Sequence, residues 1–563
     1  MKRSRRIMAL AATVVMGASA FSTLVGCGGT IGTPVGGNQE DPTKANLSVA
    51  TYDGGVGDEW LQAAARRFEE LYKDATHFQE GRTGVKISVL PDKVKYAGSN
   101  LAGKSLAEDV YFTESVEYYT FVNDGKIADM TDVITGSLSA YGETGTIADK
   151  IDPAFRNYMT AKDGKYYMVP FYDGFYGFIY DVDLFEEEGY YFDDFGDTLK
   201  LKDGKNATAA KRAEFEAKKS KGPDNVKGTY DDGLPATYDQ FIELCDIISA
   251  KNIPFCYSGS YDDYVSKAFR SFIADYEGYE GFSRNYSFSG DAELVKKINP
   301  DGTLEMETVT ITEDNAYELQ RQAGKYYALD MQEKLFGSVK YIGNTYNSFD
   351  FTAAQSKFIT SKYATKRYAM LLDGVWWENE ADSEFTELET IRGESKSDRR
   401  FAFMPIPKAT AAVGDEARPQ TMFSANSSFG FISKNAANME LAKEFMRFLH
   451  TDSEMSKFSA TTSIPRALNY EVKEEDMATA THFGKSLLEM KMNAKVVYPY
   501  SSLSLVINNS AAFTEGMWYL TANVNGATLN NPFTAFKNGT ATAAEYFNGL
   551  YTYQKSAWNN LRR

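Results

Sequence analysis

From Asn46 onward, short apolar runs alternate with segments of helical periodicity, and this alternation restricts the possible folds more than any other feature of the chain. Residues 46–51, Asn-Leu-Ser-Val-Ala-Thr, have the length and apolar spacing of a strand. A glycine-rich loop from Asp53 to Gly57 follows. Trp60, Leu61, Ala64, Phe68 and Leu71 then recur at helical spacing. Residues 85–90 and 109–112 read as further strands, and 165–180 as a long aromatic strand-like run. A helix is expected from about Thr237, just after Pro235. Residues 400–404 and 429–432 are again strand-like, and Leu441, Phe445 and Leu449 mark an amphipathic helix. Strands interleaved with helices in this way give an α/β fold. Residues 191–235 break the pattern, being polar and rich in Lys, Asp and Gly, and read as a surface insertion.

At 563 residues the chain is long enough to split into more than one domain. Its first 26 residues are set apart. Lys2, Arg3, Arg5 and Arg6 precede an apolar stretch diluted by Gly and Ser, and Leu24-Val25-Gly26-Cys27 matches a bacterial lipobox. Residues 1–26 therefore read as a signal peptide, Cys27 as the lipidated residue, and 27–44 as a flexible tether. A diacyl anchor holds two chains in the membrane, enough for stable attachment. The formal net charge is −17, and falls to −21 without the four leader cations. That balance argues against nucleic acid as a partner and against a basic membrane-binding surface, leaving the lipid as the sole membrane contact. Three cysteines cannot build a disulfide framework; Cys245 and Cys256 read as buried thiols or a single bridge.

Several short motifs then occur in a telling order. They are Asp109-Val110-Tyr111-Phe112, residues 125–132 (Gly-Lys-Ile-Ala-Asp-Met-Thr-Asp), 164–170 (Gly-Lys-Tyr-Tyr-Met-Val-Pro), 180–185 (Tyr-Asp-Val-Asp-Leu-Phe), 235–241, Ala369-Met370 with Gly374-Val375-Trp376, and Ser463-Ile464-Pro465 after the 440–449 helix. Together they resemble the family 1 extracellular solute-binding proteins, the group of maltose-binding protein, with Ser463 where that family's motif has Gly. The resemblance implies an α/β, two-lobe periplasmic-binding-protein fold of type II-like build. An N-terminal lobe would comprise 45–170 plus 407–460, and a C-terminal lobe 171–406 plus 461–563. Crossing segments near 170–173, 405–408 and 461–465 would join them as a hinge that closes on ligand. It further implies capture of a carbohydrate, in particular an oligosaccharide, for the permease subunits of an ABC importer. The carrier would be a monomer on the outer face of the cytoplasmic membrane, without catalysis, cofactor or metal.

A sugar presents apolar faces and a rim of hydroxyls, so its site pairs aromatic rings with carboxylates and amides at strand ends. On that chemistry and the family match, the candidate ligand residues are Asp53, Thr113, Glu114, Tyr172, Asp173, Trp376, Trp377 and Trp518. Neighbours on a strand face opposite ways, so one of Trp376 and Trp377 should stack on ligand and the other lie in the core. Trp60 belongs to a helical apolar stripe, and Tyr261 and Asp262 are weaker candidates.

Other chemistries have less support. Residues 98–105, Gly-Ser-Asn-Leu-Ala-Gly-Lys-Ser, match the phosphate-loop pattern letter for letter, but Pro91 ends the preceding strand early and no room remains for the required helix. The three histidines are scattered. A secreted glycan-degrading enzyme, which needs only two carboxylates, and a surface glycan-adhesion protein are the alternative readings.

Overall fold

In the Ala45–Thr51 strand, Ala45, Leu47 and Val49 are buried and alternate with Asn46 and Ser48, and the strand ends fully buried at Ala50 and Thr51, as a central strand must. It pairs in parallel with Val85–Pro91 on one side and Val110–Thr113 on the other. Phe429–Ile432 and Val169–Pro170 extend this first sheet antiparallel. The structure, a computed structural model, describes residues 40–563 apart from 262, 343–348, 412–418, 426, 515–516 and 563. Cys27 and its lipobox thus lie outside the described residues.

The Glu59–Leu71 helix buries Trp60, Leu61, Ala64, Ala65 and Phe68, whereas Leu71 turns to solvent. Trp60 meets Phe112, Phe171 and Phe458 at 5.5, 5.4 and 4.9 Å between ring centroids, so it is a core residue between helix and sheet. Burying a side chain of this size contributes about 1.5–3 kcal/mol. The second sheet has the order Phe401–Phe403, Tyr176–Asp181, Tyr368–Gly374, Ile253–Tyr257. The expected strand over 165–180 is thus two strands, one in each sheet, with a crossing between them.

Three extended segments connect the sheets and bond to one another. The Phe171 N–H donates to Ser428 O (3.0 Å), Ala425 N–H to Gly174 O (2.9 Å), and Asp173 N–H to Pro465 O (3.0 Å). Among the described residues the crossings therefore run through 171–175, 424–425 with 427–428, and 463–466. The middle one is not at 405–408, as the sequence suggested. Lys408 is instead buried within the second lobe, its ammonium 2.8 Å from Asp275 and its carbonyl accepting from the Tyr238 N–H. The prolines at 405 and 407 end a strand without redirecting the chain between lobes.

Residues 191–235 also differ from expectation. Tyr191, Phe192, Leu201, Phe215 and Leu234 are buried, and the segment carries a two-stranded pair and the Ala209–Lys218 helix. Arg212 reaches Glu186 at 2.6 Å, beside the Arg400–Asp183–Glu186 cluster. The segment caps the Val182–Glu188 helix, and its polar composition reflects one-sided burial. The Asp263–Ser287 helix breaks at Gly278, where φ is +69°, a backbone that a glycine tolerates without steric cost. Among the described residues no helix is long and apolar enough to cross a membrane.

Candidate functional site

The loops that leave the two sheets meet beside the crossings. On the first-sheet side, the Tyr52 N–H donates to Phe112 O (2.8 Å) and starts the 52–57 loop. Asp53 stands exposed at its rim, and Gly55 is buried. The Val110–Thr113 strand ends at Glu114, whose carboxylate accepts a hydrogen bond from the Tyr172 hydroxyl. On the second-sheet side, the Tyr368–Gly374 strand delivers Trp376. Tyr176 and Tyr264 meet the Trp376 ring at 5.0 Å and 6.4 Å with interplanar angles of 89° and 79°. Tyr176 and Tyr264 are themselves 5.4 Å apart at 89°. The three rings form an aromatic corner.

The two sides touch. A Cβ at Gly55 would lie 2.4 Å from Cβ of Trp376 and 2.5 Å from its Cγ and Cδ1, so the glycine backbone rests directly on the tryptophan. The lobes are closed at this point.

The electrostatics follow from burial. Glu114 is pushed up to about 7, first by burial and then by the charge of Glu380, against the Tyr172 hydroxyl and Lys267. Tyr52 is pushed up to about 12 by burial and by Glu114, Glu380 and Asp53. Burial also raises Glu380, and raises Asp373 well above the usual carboxylate range with Glu380 adding to it. Gln355 Nε2 donates to both, at 2.8 Å to Glu380 and 3.1 Å to Asp373. The indole is itself covered here, Trp376 being 8% exposed with Gly55 on its five-membered ring and Gly374 against its six-membered ring, so a ligand ring would reach it only once the two sides part.

Of the sequence candidates, Asp53, Glu114, Tyr172 and Trp376 are brought together here. Thr113 is adjacent but its hydroxyl donates to Tyr96 O at 2.5 Å in a buried bond, so it holds the strand end in place. Asp173 goes to the opposite side of the crossing from Tyr172, as consecutive residues of an extended segment do. It is buried and paired with Lys491. Lys491 in turn lines a separate crevice of about 490 Å³ with Asp152, Tyr279, Tyr470 and Tyr498. Trp377 is fully buried against Phe401, Phe483 and Phe358 at 5.0, 5.6 and 5.8 Å. Trp518 is only 1% exposed, packs on Phe513 and Trp558, and donates through Nε1 to Asn285 at 3.1 Å. Both are core residues in this conformation, and of the pair at 376 and 377 it is Trp376 that lies at the junction between the two sheets' loops. Tyr261 is half exposed against Phe351, and Asp262 lies outside the described residues.

Sequence reasoning missed Tyr52, Tyr176, Tyr264, Gln355, Asp373 and Glu380. Glu380 sits four residues beyond Trp376, on the short Trp377–Glu380 helix, and that helical spacing was the available signal. The phosphate-loop match forms only the four-residue Gly98–Leu101 helix, with Gly98 packed on the Glu114 carbonyl, and Lys104 is exposed. Cys245 and Cys256 are buried free thiols, raised well above the ordinary thiol range by burial.

The profile of the family described as bacterial extracellular solute-binding protein matches residues 73–485. The apo form of RafE from Streptococcus pneumoniae is 14% identical over 93% of this chain and 100% of its own, with a TM-score of 0.50. The cyclic α-maltosyl-1,6-maltose binding protein from Arthrobacter globiformis is 12% identical over 92% and 100%, also at 0.50. At these identities the likeness concerns the fold, which is the two-lobe architecture expected from the motifs. No curated protein matches the chain.

Proposed function

Because the chain belongs to the bacterial extracellular solute-binding proteins, and so acts outside the cytoplasm, we propose that it captures a carbohydrate, an oligosaccharide, by closing its two lobes at Trp376. The observation that carries this is the Trp376–Tyr176–Tyr264 corner facing Glu114 and Tyr172 across the lobe junction. Flat rings take the apolar face of a sugar, and carboxylates take its hydroxyls. The name of the Arthrobacter neighbour, a maltosyl-maltose binder, is consistent with such a ligand. In this reading the protein is a carrier and not an enzyme, and hands its ligand to the permease of an ABC importer. It works as a monomer tethered through a diacylglyceryl group on Cys27.

Thermal melts against a glycan panel test the proposal, since a ligand that binds only the native state raises the midpoint. At least one oligosaccharide should shift it in wild type and shift it much less in Trp376→Ala. A panel without any shift overturns the carbohydrate reading. Acyl labelling that persists in Cys27→Ala overturns the anchor.

A further inference from the structure

The short Trp377–Glu380 helix, with Trp376 as its N-cap and Glu380 at its end, is fastened to the third crossing. Asn379 Nδ2 donates to Thr462 O at 2.6 Å. Thr462 ends the Asp452–Thr462 helix, which belongs to the first lobe: Phe458 packs on Trp60 at 4.9 Å, and Glu454 meets Arg67 at 2.6 Å. The bond therefore spans the lobes, and it satisfies a carbonyl of the last helical turn, which has no acceptor role within its own helix. The neighbouring Glu378 is buried, and its Oε2 accepts from the hydroxyls of Ser463 at 3.0 Å and Thr481 at 2.7 Å. Thr481 caps the His482–Asn493 helix of the second lobe, where Gly484 leaves room for the serine, since a Cβ there would lie 2.7 Å from Ser463 Oγ. Ser463 opens the crossing at φ +61°, a conformation that costs a serine and not a glycine. Glycine would remove the strain, but also a donor from a buried carboxylate.

We propose that Ser463, Glu378 and Asn379 are positioning residues for the ligand site: they bind the Trp376 helix to the pivot of the lobe motion, so that Trp376 and Glu380 keep one orientation when Gly55 withdraws. This rests on the reading that ligand is taken up at Trp376, and deepens it. In a rotation about the crossings, atoms beside the pivot move least, whereas the 52–57 loop is carried off with the first lobe. The second-lobe half of the site is then set before ligand arrives, and less ordering has to accompany binding.

Fluorine NMR of protein labelled with 5-fluorotryptophan tests this without ligand. The chain has five tryptophans, and the Trp376 and Trp558 resonances are assigned by their loss in the corresponding Trp→Phe variants. Asn379→Ala and Ser463→Gly, each checked by its melt, should shift and broaden the Trp376 resonance, while that of Trp558, packed away against Phe288 and Trp518, stays in place. Both should weaken the glycan by about fivefold or more. Glu378→Gln keeps an acceptor for the two hydroxyls and should hold affinity within about twofold, whereas Glu378→Leu should behave as Ser463→Gly does. An unchanged Trp376 resonance in both Asn379→Ala and Ser463→Gly, or an unchanged affinity in both, overturns the proposal. Loss of the fold in both overturns it too, by making the cluster a structural element only. If no glycan binds the wild-type protein, the carbohydrate reading fails, and the resonance alone decides the positioning role.

Discussion

Gly55 follows a strand of the first sheet and Trp376 a strand of the second, so a hinge motion that parts the sheets should break their contact, which can be used to separate closure from folding. In Gly55→Ala the new methyl would sit 2.4–2.5 Å from three carbons of Trp376. Ordinary carbon–carbon contact begins at about 3.5 Å, so the closed junction must open by about 1 Å. Forcing one extra methyl group into a packed contact typically costs about 1–3 kcal/mol. If that cost falls only on the closed state, ligand affinity drops about fivefold to 150-fold. The open, ligand-free protein has no such clash, and Gly55 is not among the glycines held at positive φ. Its melting temperature should therefore be unchanged or slightly raised, since alanine narrows the unfolded ensemble. Titration calorimetry gives the affinity, and solution scattering with and without ligand gives the compaction. An affinity within about twofold of wild type, with full compaction, would refute the argument that binding requires this closed geometry.

Three further outcomes follow from the same structure. Trp377→Ala should lose about 3–5 kcal/mol of stability in denaturant melts, as expected for a large aromatic removed from a core, whereas Trp376→Ala should stay folded and bind at least about thirtyfold more weakly. Lys408→Met strips the ion-pair partner from the buried Asp275 carboxylate and should cost about 3–5 kcal/mol, much of which Lys408→Met with Asp275→Leu should recover. His450 is buried with Nε2 accepting from Arg466 Nη2 at 2.7 Å and Nδ1 donating to Met446 O at 2.6 Å, and burial followed by the Arg466 charge lowers its pKa well below 6.5. Its contribution is thus complete above the unfolded value of about 6.5 and is lost as pH falls below it, so the denaturant midpoint should drop as pH is lowered from about 6.5, and less steeply in His450→Gln.

The alternation of strands and helices was legible because apolar spacing is local. The Ala45–Thr51, Val110–Thr113 and Phe429–Ile432 strands and the Met439–Leu449 helix stand within a residue or two of where their periodicity puts them. The middle crossing was misplaced because two prolines look like a redirection of the chain, whereas its course there is set by a buried pair, Lys408 and Asp275, 133 residues apart in sequence. Ser463 shows the opposite case. It occupies the position where the family motif has Gly, and its φ of +61° explains that preference. The serine accepts the strained conformation while its hydroxyl donates to the buried Glu378 carboxylate at 3.0 Å.

Why less than half of the candidate site could be read in advance is a question of what each residue type announces. Trp376 and Glu114 stand out because a tryptophan or a carboxylate at a strand end has few structural reasons to be there. Tyr176 and Tyr264 do not stand out among 37 tyrosines, most of which serve the core. Their role appears only when the Tyr176–Asp181 strand and the Asp263–Ser287 helix bring them edge-on to one indole. Asp173 carries the converse lesson. It is a carboxylate at the crossing, as a ligand residue would be, yet its charge is committed to Lys491 on the far side of the strand. Polar residues at a hinge must be satisfied whether or not ligand is present, because a buried unpaired carboxylate would tax every conformation the hinge visits. Glu114 and Glu380, the candidate acceptors, lie in the loops beside Trp376 and not along the crossing itself.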